Sequence, residues 1–134
     1  MIPDSEDSAS FDLLPIWRKL AEERGWALAQ YWLGGHYFWG DGVEQDYEEA
    51  VRWWTLSAEQ GDEYSARELG DCYLNGTGVN RDLPQAYAWL WLSVAVRDIH
   101  GGRDAFKECE KLMSAEEISE AKVKIQRLKP KFSI

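Results

Sequence analysis

Cysteine, histidine and basic residues are scarce in this sequence, and no apolar run is long. Only Cys72 and Cys109 occur, and no Cys-x-x-Cys pair. Two thiols in a cytosolic chain are expected to be free and buried rather than bridged. Only His36 and His100 occur, with no His-x-x-x-His and no Gly-x-Ser-x-Gly. The familiar zinc and serine-hydrolase patterns are therefore missing, and no metal or cofactor is expected. The longest apolar candidate, Leu90 to Val96, is interrupted by Ser93. It falls far short of the ~18 residues a membrane span needs. Residues 1–10 have neither the basic start nor the apolar stretch of a secretory signal, so a cytoplasmic location is expected. Residues 1–100 hold 7 basic and 18 acidic side chains, whereas residues 101–134 hold 8 and 6. A net charge of −9, with an acidic body, argues against nucleic acid as a partner, because phosphate contacts need a basic patch. It is compatible with a basic protein partner, and it also keeps a chain in solution.

Aromatic residues, by contrast, are plentiful. Eight tryptophans and six tyrosines in 134 residues supply large buried areas for a small core. They recur with a period. At a shift of 36, Leu33 meets Leu69, Gly34 meets Gly70, Tyr37 meets Tyr73, and Gly40 and Gly42 meet Gly76 and Gly78. Ala50 meets Ala86, Trp53 meets Trp89 and Ser57 meets Ser93. The shift also places Trp17 under Trp53. A period of this size marks stacked two-helix units.

Each unit reads as helix, glycine turn, helix. Ala29, Leu33 and Tyr37 share one helical face. Gly34 and Gly70 beside it imply a close helix approach, since a mid-helix glycine costs about 1 kcal/mol relative to alanine. The Gly-x-Gly pairs supply the positive φ of a tight reversal. They do not read as a phosphate loop, because no strand precedes them and no Lys-Ser or Lys-Thr follows. Asp46 with Glu49, and Asp82 with Gln85, open the second helices in the manner of a capping box. Their buried stripes are Ala50, Trp53, Trp54 and Ser57, then Ala86, Trp89, Leu90 and Ser93. Further on, residues 103–113 form another helix with Ala105, Cys109 and Leu112 on its inner face. Ser114 to Glu117 opens a last helix with Ile118, Ala121, Ile125 and Leu128 inward and Lys122, Lys124, Arg127 and Lys129 on its other face.

The spacing predicts an all-α fold, a short right-handed superhelix of antiparallel helix pairs. Residues 1–11 form a polar tail, 12–24 a half unit, 25–60 repeat one, 61–96 repeat two, 102–128 a C-terminal helix pair and 129–134 a tail. The half unit is preceded by no first helix, and self-association through its open end near Trp17 and Leu20 is expected.

Nothing here reads as an enzyme. Glu48-Glu49 and Glu116-Glu117 are sequence neighbours, which point in different directions on a helix and make no acid/base dyad. Neither cysteine has the basic neighbours that activate a thiolate. His36 is placed at a groove rim and His100 in a loop.

The pattern Ala29–Leu33–Gly34–Tyr37, Gly40-x-Gly42-Val43, Asp46, Ala50–Trp53, Ala58 and Gly61 resembles the Sel-1-like repeats, a branch of the tetratricopeptide-like solenoids. The second copy departs at Ser65 and Val94. Leu112 to Ala121 looks like the closing helix common in bacterial members. The resemblance covers about residues 12–128. It implies an adaptor or scaffold with a protein or peptide partner, and no catalytic residues. A cysteine-rich branch with reported penicillin-binding or β-lactamase activity has a disulfide in each repeat. This chain lacks that pattern, so those properties do not carry over. By analogy with tetratricopeptide helices, the concave groove falls on Leu28, Tyr31, Gly35 and Phe38, then Tyr64, Arg67, Asp71 and Leu74. The alternative reading is a small acidic inhibitor or immunity-type protein that neutralises a basic partner. Trp26, Trp32, Trp39 and Trp91 stand outside the repeat framework. They are expected in core or inter-repeat packing, unless two or more prove exposed together, which would mark an interaction patch.

Overall fold

The structure, a computed structural model, describes residues 12–99 and 101–134. The expected tail of residues 1–11 and the loop residue His100 lie outside them. Every regular element among the described residues is helical. The order is α1 (Leu14–Lys19), continued by a π turn (Leu20–Arg24), then α2 (Ala27–Trp39), α3 (Tyr47–Ala58), α4 (Glu63–Asn75), α5 (Leu83–Val96), α6 (Gly102–Lys111), α7 (Ala115–Leu128) and a 3-10 turn (Lys129–Phe132). Helices α2 and α4 start and stop 36 residues apart, which is the period of the sequence. Each of α2 to α5 packs on the next, giving an all-α solenoid.

Repeated local chemistry sets these elements. Gly40 and Gly76 end the first helices at φ 65° and 69°. The chain then returns so that the Asp46 and Asp82 amides donate to the Tyr37 and Tyr73 carbonyls at 2.8 and 3.0 Å. Asp46 and Asp82 accept from the Glu49 and Gln85 amides, capping the second helices. The reciprocal half of the expected box is missing at Glu49. Its carboxylate is taken instead by the Arg52 guanidinium at 2.9 and 3.0 Å, which also holds its pKa below the ordinary value. Ser114 and Glu117 do form a complete capping box.

The repeat framework forms the seam between helices. Leu33, Leu69, Ala50, Ala86, Trp53 and Trp89 are buried, and half-buried Tyr37 and Tyr73 pack against them. Helices α2 and α3 meet at Gly34, where a Cβ would lie 2.5 Å from Trp54 Nε1. Helices α4 and α5 meet at Gly70, where a Cβ would lie 2.6 Å from Leu90 Cγ.

The C-terminal third departs from the sequence expectation in three places. Helices α6 and α7 both pack on α5. Leu112, expected on the inner face of α6, is 50% exposed. Helix α6 ends at Lys111, so helical periodicity no longer sets its direction, and Phe106 and Met113 join Ala105 and Cys109 at the core instead. Residues 129–134, expected as a tail, include the 3-10 turn and bury Phe132 in the main core. Their backbone lies over Gly61, at φ 97°, where a Cβ would overlap the Lys131 carbonyl. Finally, Lys124 and Lys129 fold back from the outer face of α7. Their ammonium groups lie 4.8 and 5.1 Å from the Trp89 and Trp91 ring centres.

Candidate interaction face

Helix α2 buries Ala29, Gln30, Leu33 and Gly34 against α3 and α1. At about 3.6 residues per turn, the opposite side then falls on Leu28, Trp32, Gly35 and Trp39. The structure agrees: Leu28 is 55% exposed, Trp32 45% and Trp39 75%. The exposed stripe therefore lies one position away from Tyr31 and Phe38, and those two side chains are half-buried. Phe38 packs at 4.9 to 5.2 Å against Trp39, Tyr47 and Trp54. The Tyr31 ring stands 5.8 Å from Tyr64 and meets Trp32 edge-on at 5.3 Å. Burial, with the nearby Glu68 and Asp62 charges, pushes its hydroxyl pKa up to about 12.

In the second repeat the corresponding positions are engaged within the chain. Arg67 pairs with Asp71, and its Nε donates to the Ile99 carbonyl at 3.2 Å. Arg97 donates to the Tyr64 hydroxyl at 2.9 Å, and Leu74 packs against the core. The connection from α5 to α6 thus lies against this half of the groove.

A cavity of about 920 Å³ opens on the α2 face. Its aromatic walls are Trp17, Tyr31, Trp32, Trp39 and Trp54. Trp17 and Trp32 stack at 6.0 Å between α1 and α2. Three carboxylates, Asp12, Asp41 and Glu68, also line it, with no lysine or arginine. His36 stands at its rim, where Nδ1 donates to the Asp41 carbonyl at 2.9 Å. Of the groove residues expected from sequence, Tyr31 and Gly35 line this cavity. Leu28, Phe38, Tyr64, Arg67, Asp71 and Leu74 do not. The periodicity of α2 was signal enough to find Trp32 and Trp39.

The two thiols lie elsewhere and are suppressed as nucleophiles. Burial, then the Glu68 and Asp71 charges, push Cys72 up to about 12. Burial pushes Cys109 up to about 11. No helix of the described residues is long and apolar enough to cross a membrane.

The Sel1 repeat family model matches residues 27–62 and 64–90, which span the helix pair α2–α3 and most of the pair α4–α5. These residues are two Sel1 repeats. Among solved structures the chain is similar to a protective antigen of uropathogenic Escherichia coli with an SLR fold. The identity is 31% and the TM-score 0.81, over 89% of this chain and 25% of that one. It is also similar to a Sel1 repeat protein of Oxalobacter formigenes, at 36% identity and a TM-score of 0.58, over 60% of this chain and 24% of that one. The chain thus spans about a quarter of the length of either structure. No curated protein matches it. Sel1 repeats are in general protein–protein interaction modules.

Proposed function

We propose that the chain is a protein-binding adaptor that receives a peptide segment of its partner on the outward face of α2. The observation that carries this reading is the joint exposure of Trp32 and Trp39 on one stripe beside the cavity. Tryptophans that lie together and open to solvent are typical anchors of interfaces. The partner on this reading is basic, because the chain carries a net charge of −9. A reducing cytoplasm suits two unbridged buried cysteines.

Panning a phage-displayed library of random dodecapeptides tests the reading. Wild type is expected to enrich peptides that a Trp32→Ala/Trp39→Ala variant fails to retain. Equal enrichment by both proteins, or none by either, overturns it.

The same net charge favours a second reading, a small acidic inhibitor of a basic protein. Its capture would weaken steeply with added salt, and binding indifferent to ionic strength counts against it. Self-association through the α1 end is favoured by exposed Leu13 and Ile16. Light scattering at rising concentration checks that, and a constant monomer mass rejects it.

A further inference from the structure

Helix α2 contains adjacent glycines, and only one of them is explained by packing. Gly34 lies under the Trp54 ring. Gly35 has ordinary helical φ, and a Cβ there would meet nothing within 4 Å. A glycine inside a helix is unfavourable relative to alanine, so internal packing gives no reason for this one. Gly35 lines the cavity, and Trp32 and Trp39 flank it on the same stripe of the helix. The glycine therefore leaves the surface of α2 open between two indoles.

The charge at this place is of one sign. The cavity carries Asp12, Asp41 and Glu68 and no lysine or arginine, with His36 beside Asp41 at its rim. Between Arg24 and Arg52 the sequence has no lysine or arginine at all. One repeat later, Asp71 replaces Gly35, Glu68 replaces Trp32 and Asn75 replaces Trp39. The arrangement thus occurs in the first repeat and is absent from the second.

Indole faces attract cations, arginine above all, because the guanidinium plane stacks on the ring while its N–H groups reach carboxylates. We infer that the cavity over Gly35 is a receptor for an arginine side chain of the partner, stacked against Trp32 or Trp39 and neutralised by the surrounding carboxylates. This deepens the peptide-binding reading and rests on it.

Three acetylated, amidated pentapeptides test the inference: Gly-Ser-X-Ser-Gly with X as arginine, citrulline or norleucine. Citrulline keeps the planar shape without the charge, and norleucine keeps only the apolar stem. Each is titrated into ¹⁵N-labelled protein while the indole N–H signals are followed. The arginine peptide is expected to give saturable shifts at Trp32 and Trp39, at least tenfold tighter than citrulline and weakening with salt. Trp32→Ala and Gly35→Ala are each expected to lose tenfold or more. Gly35→Ala is the decisive variant, because its helix stays intact and only the opening is narrowed. Equal binding of all three peptides at Trp32 and Trp39 overturns the cation receptor and leaves the peptide-binding face standing. Undiminished arginine binding by Gly35→Ala overturns the placement. No saturable shift with any pentapeptide overturns the receptor, and the dodecapeptide panning then decides separately whether the face binds peptides.

Discussion

The Trp54 indole occupies the space that a side chain at Gly34 would need. Its Nε1 lies 2.5 Å from the place of a Cβ there and donates to the Tyr31 carbonyl at 3.0 Å. One contact thus joins α2 to α3, satisfies a buried indole N–H and requires glycine. Gly34→Ala is expected to destabilise the fold by about 1–3 kcal/mol through overpacking. Gly35→Ala, one residue on, is expected to stabilise it by about 0.5–1 kcal/mol, since the new methyl meets nothing. Urea midpoints of the two variants check the pair. Two shifts of the same sign would refute the assignment of these glycines.

The repeat architecture was legible in the sequence, because identical side chains 36 residues apart perform identical tasks. Gly40 and Gly76 both take positive φ, and Asp46 and Asp82 both cap. The exposed face of α2 was readable only in part. Homology places groove residues by column, and that column gave Leu28 and Gly35 on the outward stripe together with Tyr31 and Phe38 beside it. Burial of Ala29, Gln30, Leu33 and Gly34 turns the helix so that Trp32 and Trp39 face out. Large indoles suggest core by composition, and only the helical angle overrules that. The Arg67–Asp71 pair follows from its i,i+4 spacing on α4, but the engagement of Arg67 by the Ile99 carbonyl was not legible, because it depends on the course of the α5–α6 connection.

The last residues have a stability role that a polar, charged composition conceals. Phe132 is 5% exposed and joins the main core, while Lys131 lies against Gly61. Phe132→Ala is expected to cost about 3 kcal/mol, near the lower part of the range for buried aromatics. Gly61→Ala is expected to destabilise as well, from its positive φ and from the overlap with the Lys131 carbonyl. Thermal melts measure both. A Phe132→Ala protein with the wild-type transition would show that the turn does not hold the repeats.

The thiols report folding. Cys72 and Cys109 are buried and unbridged, with pKa values pushed up to about 12 and about 11. The thiolate is the reactive form, so neither should react with Ellman's reagent in the native state at mildly alkaline pH. Both should react after unfolding in guanidinium. One equivalent released at once from the native protein would contradict the burial of that cysteine.

Asp62 ties stability to pH in an unusual direction. It caps α4 by accepting from the Ser65 amide at 2.9 Å, yet burial raises its pKa above the ordinary 3.8. Between that ordinary value and the raised one, the folded state holds a proton that the unfolded chain has released. Stability from this group therefore grows as pH falls through that window and is lost as pH rises through it. Asp71 is raised by burial despite Arg67 and acts in the same direction. Glu49 opposes both, because its pairing with Arg52 lowers its pKa and that contribution fades as pH falls below the ordinary 4.5. The urea midpoint should accordingly gain from Asp62 and Asp71 as pH falls through their raised pKa values, and lose the Glu49 contribution as pH falls below the ordinary 4.5. Asparagine at position 62 keeps a good capping acceptor and removes the titration. Asp62→Asn should then equal or exceed wild type at neutral pH and show a flatter acid limb. Parallel midpoint curves for the two proteins would mean that general repulsion among the acidic side chains, and not the buried cap of α4, sets the pH response.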